Sequence, residues 1–121
     1  MGTYGPTEIN PVSNKIFGTT FPVITIRDMV KAQKYLLDHL GIKKLLAVTG
    51  GSMGGMQVLQ FVANYPDKSK IAIPIACSAS HSAQNIAFNE LGRQAIMADD
   101  NWKNGNYELE NISPAKGLSV A

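Results

Sequence analysis

The chain has 121 residues, 45% of them apolar, a mean hydropathy of -0.03 and a formal charge of +2 from 11 basic and 9 acidic side chains. That profile excludes a disordered or membrane-embedded chain and fits one soluble globular unit, for which a cytoplasmic location is the default expectation. The charges are scattered, with no basic cluster to track nucleic acid, and a single cysteine and two histidines give neither a disulfide nor a metal-ligand spacing.

Residues 1–21 are rich in Gly, Pro, Asn, Ser and Thr, lack any periodicity and read as an extended surface segment. Thr25 then stands three positions before Asp28, as an N-cap oxygen stands before a first-turn acid. Ile26, Met29, Val30, Leu36, Leu37 and Leu40 share one face, which predicts a helix over 26–40. Gly41 occupies the place of a left-handed C′ residue. Leu45-Leu46-Ala47-Val48-Thr49, apolar on both faces, predicts a buried strand.

A glycine-rich turn leads into a second helical stretch from about Gly54 to Tyr65. Pro66 and Asp67 close it, and a strand over Ile71 to Ala76 follows. Two strands joined through a helix must run parallel. Ser80 or Ser82 can cap a third helix running to about Ala98, with Ala83, Ile86, Ala87, Leu91 and Ala95 on one side and Asn85, Asn89 and Arg93 on the other. The tail carries the turn signal Asn104-Gly105 and Pro114, then the start of another helix. Two parallel strands with unpaired edges predict an incomplete single domain over 1–121, in which 1–21 is an extended segment, 26–76 the helix-strand-turn-helix-strand part and 80–121 a helix and the start of a cap region. Such a piece should be marginally stable alone, or associate.

The segment Gly50-Gly51-Ser52-Met53-Gly54 carries the chemistry. A serine hydroxyl is a poor nucleophile unless it is exposed, close to a base and near donors that stabilise an oxyanion. In G-x-S-x-G the serine sits on a strained strand-to-helix turn, and Gly50 and Gly54 stand where close backbone approach is needed, with Gly51 between. The Met53 backbone N–H, at the helix N-terminus, is the expected oxyanion donor. The competing readings are a mere tight glycine turn over Gly50 to Gly55 or a phosphate-cradling loop; the Walker form of the latter fails because no Lys-Ser or Lys-Thr follows, and the dinucleotide form because Ser52 stands where its second glycine should be. The fold class is therefore α/β, a partial α/β-hydrolase fold with parallel strands, flanking helices and a nucleophile elbow.

Other residues are weighed against that centre. A local triad of Ser52, Asp67 and His81 has the right chain order, but Asp67 falls at the far end of the helix from Ser52. His81 reads as a residue at a helix start or pocket wall, and His39 as a structural residue in the last turn of a helix. Cys77 reads as a small buried residue near the active-site edge of the sheet. Asn85, Asn89 and Arg93, spaced by four, either form a solvated face or line a passage to Ser52. Trp102 and Tyr107 read as packing anchors.

Three ordered blocks resemble the homoserine O-acetyltransferases, serine-nucleophile acyltransferases of the α/β-hydrolase fold in methionine biosynthesis. They are Phe21-Pro22-Val23-Ile24-Thr25-Ile26-Arg27-Asp28-Met29-Val30, Gly50-Gly51-Ser52-Met53-Gly54-Gly55-Met56-Gln57, and His81-Ser82-Ala83-Gln84-Asn85-Ile86-Ala87-Phe88-Asn89-Glu90 with Gly92-Arg93-Gln94-Ala95-Ile96. Gly5-Pro6, Ile9-Asn10-Pro11 and Gly117-Leu118 extend the similarity along the chain.

The resemblance implies that Ser52 takes an acetyl group from acetyl-CoA, used as a substrate and not as a bound cofactor, and passes it to the hydroxyl of homoserine. It implies small-molecule partners only, and admits a homodimer for the full-length form. Family chains are about three times longer, with the triad aspartate and histidine beyond Ala121 and a second oxyanion donor upstream. Met1-Gly2-Thr3-Tyr4-Gly5-Pro6 itself resembles the inside of a family glycine-rich stretch. The alternatives are a succinyl-transferring or serine-accepting member of the family, an esterase-type hydrolase, and a catalytically inactive truncated product.

Overall fold

A computed structural model describes residues 4–121. Of the glycine-rich resemblance at residues 1–6, Met1, Gly2 and Thr3 lie outside the described residues. The chain divides into two compact units, one of residues 4–22 with His81–Ala121 and the other Val23–Ser80, where the sequence predicts one unit.

The Val23–Ser80 unit opens with α1 (Ile26–His39). Thr25 is extended, its Oγ1 accepts the Asp28 N–H at 3.2 Å, and Asp28 Oδ2 accepts the Thr25 N–H at 2.9 Å, so both arms of a capping box are made. At the other end Gly41 has φ +68°. Its N–H donates to Asp38 O at 3.0 Å and that of Ile42 to Leu37 O at 2.9 Å, the paired bonds of a Schellman stop.

Strands β3 (Leu45–Gly51) and β4 (Ser69–Ile75) run parallel, in register from Leu45 opposite Ser69 to Gly51 opposite Ile75; β1 (Ile9–Asn10) and β2 (Lys15–Ile16) belong to the other unit. Between them α2 (Met53–Asn64) packs on both strands and on α1. The apolar core is small: Val30, Val58 and Phe61 are its buried members among the described residues. Lys34 lies over the Tyr65 ring, 5.7 Å from its centroid, and Gln33 Nε2 donates to Gln57 Oε1 at 2.6 Å, tying α1 to α2.

The strands are not buried as their composition predicts. Leu46 is 70% exposed, and Ile71 and Ile73, on the opposite face by the register, are 50% and 45% exposed. One helix on a two-stranded sheet leaves apolar area open on the faces and leaves both edges unpaired.

In the other unit the N-terminal segment is more than extended chain. Strand β1 (Ile9–Asn10) pairs antiparallel with β2 (Lys15–Ile16). Asn10 Oδ1 accepts the Val12 N–H at 2.9 Å, and Asn14, at φ +55°, closes the turn by donating to Asn10 O at 2.8 Å. Two-residue strands are too short to show alternation, which is why composition alone does not reveal them. Phe17 stands edge-on to Tyr4 and Phe21, with centroids 5.9 and 5.2 Å away.

Helix α3 (Ala83–Met97) takes Ser82 as its cap, the Oγ accepting the Asn85 N–H at 3.2 Å, while Ser80 stays outside the helix. Short 3-10 turns at Asp100–Gly105 and Tyr107–Glu110 follow, then α4 (Ala115–Leu118). Asp99 joins these parts: Oδ1 accepts the Asn101 N–H and Oδ2 the Gly117 N–H, both at 2.9 Å, and these donors hold its carboxyl below the usual carboxylate range. Gly117 is buried, and only glycine fits there: a Cβ would lie 2.5 Å from Ala95 O and 2.6 Å from Ile96 Cα. Among the described residues no helix is long and apolar enough to cross a membrane.

Candidate active site

Ser52 stands alone between β3 and α2, at φ +53° and ψ -118°. An L-residue other than glycine adopts this conformation only when its surroundings enforce it, and such residues concentrate at functional sites. Three contacts enforce it here. The Ser52 N–H donates to Ile75 O at the end of β4 (2.9 Å), and its carbonyl accepts the Met56 N–H in the first turn of α2 (3.2 Å). A Cβ on Gly50 would overlap the Gly54 backbone, so only glycine lets the strand pass this close to the helix.

The glycines of the motif are not equivalent. Among the described residues, a Cβ at Gly51 or Gly54 would meet nothing within 4 Å beyond its chain neighbours and its own helix backbone. The steric demand on the helix side falls instead on Gly55, which is buried, and where a Cβ would sit 2.5 Å from Cys77 Sγ and 3.0 Å from Ile75 O. Adjacent glycines at 54 and 55 are the only hint in the sequence. Which of the two is constrained depends on a neighbour more than twenty positions away.

Ser52 is exposed and makes no side-chain capping bond, so among the described residues its hydroxyl is uncommitted. Met53 is the first residue of α2, where backbone N–H groups have no intrahelical acceptor and carry the positive end of the helix dipole. A free hydroxyl beside such donors can attack a carbonyl carbon while the donors receive the oxyanion.

The remaining candidates are placed elsewhere. Asp67 lies in the 3-10 turn after α2, separated from Ser52 by roughly 18 Å of helical rise. His39 closes α1. Cys77 is half-buried, less enclosed than its apolar context predicts. His81, Asn85, Asn89 and Arg93 belong to the other unit. Their bonds there are local: Asn89 Nδ2 donates to Asn85 O at 2.8 Å, and Arg93 Nε and Nη2 donate to Glu90 Oε2 at 3.0 and 2.6 Å. Gln94, and then Arg93, hold the Glu90 carboxyl below the usual carboxylate range. Trp102 and Tyr107, with ring centroids 5.8 Å apart, line a cavity together with Gly105 and Thr19.

A parallel strand, a strained serine and a helix begun by glycines together define the nucleophile elbow of an α/β-hydrolase fold. A family model for that fold matches residues 3–116, and the chain belongs to the family. A homoserine O-acetyltransferase of Pelagibacter ubique (strain HTCC1062) is 73% identical over the whole of this chain, which spans 32% of that protein. The crystal structure of a homoserine O-acetyltransferase from Bacillus anthracis superimposes with a TM-score of 0.91 at 32% identity, over 98% of this chain and 31% of that one. An esterase of known crystal structure superimposes with a TM-score of 0.87 at 43% identity, over 98% of this chain and 32% of the esterase.

Proposed function

We propose that this chain is the elbow-bearing part of a homoserine O-acetyltransferase acting in methionine biosynthesis in the cytoplasm. Ser52 Oγ attacks the thioester carbonyl of acetyl-CoA, the Met53 N–H receives the oxyanion, and collapse of the tetrahedral intermediate expels the CoA thiolate. The homoserine hydroxyl then attacks acetyl-Ser52, releasing O-acetylhomoserine and the free serine. An aspartate and a histidine supplied by other parts of the protein orient and carry the proton. Gly50 and Gly55 give the close approach of strand and helix that the elbow needs.

The observation that carries this reading is the positive φ of Ser52, in a chain 73% identical throughout to a homoserine O-acetyltransferase. Expressed from its intact reading frame and mixed with acetyl-CoA, the protein should gain one acetyl group on the peptide containing Ser52. Ser52→Ala should lose that mass and lower kcat by roughly 10³-fold or more. Acetylation that persists in this variant would place the nucleophile elsewhere. The superposition on an esterase favours one second reading, in which water and not homoserine takes the acyl group. Comparing acetylhomoserine formed with acetate released separates the two.

A further inference from the structure

The turn that follows β4 lies against the elbow, and its geometry is unusual. Ala76 has φ +48°, a conformation alanine adopts only under constraint. On one side of it the Ile75 carbonyl accepts the Ser52 N–H at 2.9 Å. On the other, Cys77 Sγ and Cβ would lie 2.5 and 2.9 Å from a Cβ on Gly55, so the sulfur rests directly on the first turn of α2. Both the serine backbone and the helix that carries the Met53 N–H are thus seated on residues 75–77.

We propose that the turn Ile75-Ala76-Cys77 is a positioning element for Ser52, in which Ile75 O anchors the serine backbone and the Cys77 sulfur sets how far the start of α2 stands from the strand ends. The chemistry of the sulfur is not used; its volume is. The sulfur already stands against Gly55, so a larger side chain at 77 lifts the first helical turn and moves the Met53 amide relative to Ser52 Oγ. The inference rests on Ser52 being the nucleophile, as proposed above.

The test follows the burst of p-nitrophenolate as the intact protein is acetylated by p-nitrophenyl acetate, with reactive serines counted by a fluorophosphonate and folding followed by Tm. Cys77→Leu should slow the burst per reactive serine by about tenfold or more, with KM for the ester changed less than about twofold. Cys77→Ser, close to the native volume, should restore it. If the leucine variant does not fold, Cys77→Val gives the same readout with a smaller intrusion. A burst rate per reactive serine that stays native while Tm falls would reduce the turn to a structural contact and overturn the proposal, leaving the nucleophile in place. A native protein that gives no burst, and no loss on Ser52→Ala, would overturn the nucleophile and the positioning element together.

Discussion

At the residue scale the elbow is a problem of missing atoms. Gly50 and Gly55 are the positions where one methyl group would collide with backbone, Gly54 O in one case and Ile75 O with Cys77 in the other. Neither has a positive φ, so the demand is for space and not for a left-handed conformation. Gly54→Ala should be tolerated, since its Cβ meets nothing beyond its own helix and alanine favours helix by about 1 kcal/mol. Gly55→Ala should lose about 1–3 kcal/mol through overpacking. Urea midpoints of the two variants check the contrast, and equal midpoints would contradict the close approach at Gly55. The motif pattern points to positions two before and two after the serine, and the structure moves one of these demands by a single residue.

At the element scale, what was legible was whatever local chemistry decides. Thr25 with Asp28, Gly41 after α1, Ser82 before α3 and the parallel pairing across α2 all follow from short-range rules. What stayed illegible depends on partners far along the chain or on segments too short for periodicity. The β1–β2 hairpin is one case; the turn at Asn104-Gly105 is legible, and only its left-handed extension back to Lys103 is not. Pro74 inside β4 resolves in the same way. The bond from the Ser52 N–H to Ile75 O turns Ile75 toward β3, so alternation points the Pro74 nitrogen to the outer edge, where no ladder bond with β3 is lost. The capping box of α1 permits a pH test. The Thr25 hydroxyl and then the Thr25 N–H lower the Asp28 pKa in the folded state. Its contribution is therefore complete above the unfolded aspartate value near about 3.9 and lost as pH falls through the lower folded value. Native protein should melt above Asp28→Asn at about pH 6, and the gap should narrow as pH falls below the unfolded aspartate value of about 3.9. A gap independent of pH would exclude the carboxylate as its source.

At the scale of the whole molecule the deciding quantity is surface. The chain exposes 8979 Å². Two separate compact bodies, each of half the 13.0 kDa mass, would together expose about 7,700 Å². The excess, about 1,300 Å², approaches the area buried in a standard protein–protein interface. Part of it is apolar and lies on the strand pair, at Leu46, Ile71, Ile73 and Ile75, next to two unpaired sheet edges. The chain spans 32% of its Pelagibacter relative, and an α/β-hydrolase sheet ordinarily covers such strands on both faces. Made alone, these 121 residues should bind a hydrophobic dye, form concentration-dependent oligomers in sedimentation velocity and unfold over a broad urea range. Leu46→Lys, which puts a charge on the most exposed of these strand positions, should shift the sedimentation profile toward monomer. A monodisperse, dye-free monomer with a sharp transition would mean that a core of Val30, Val58 and Phe61 suffices to hold the open sheet, against what the exposed area requires.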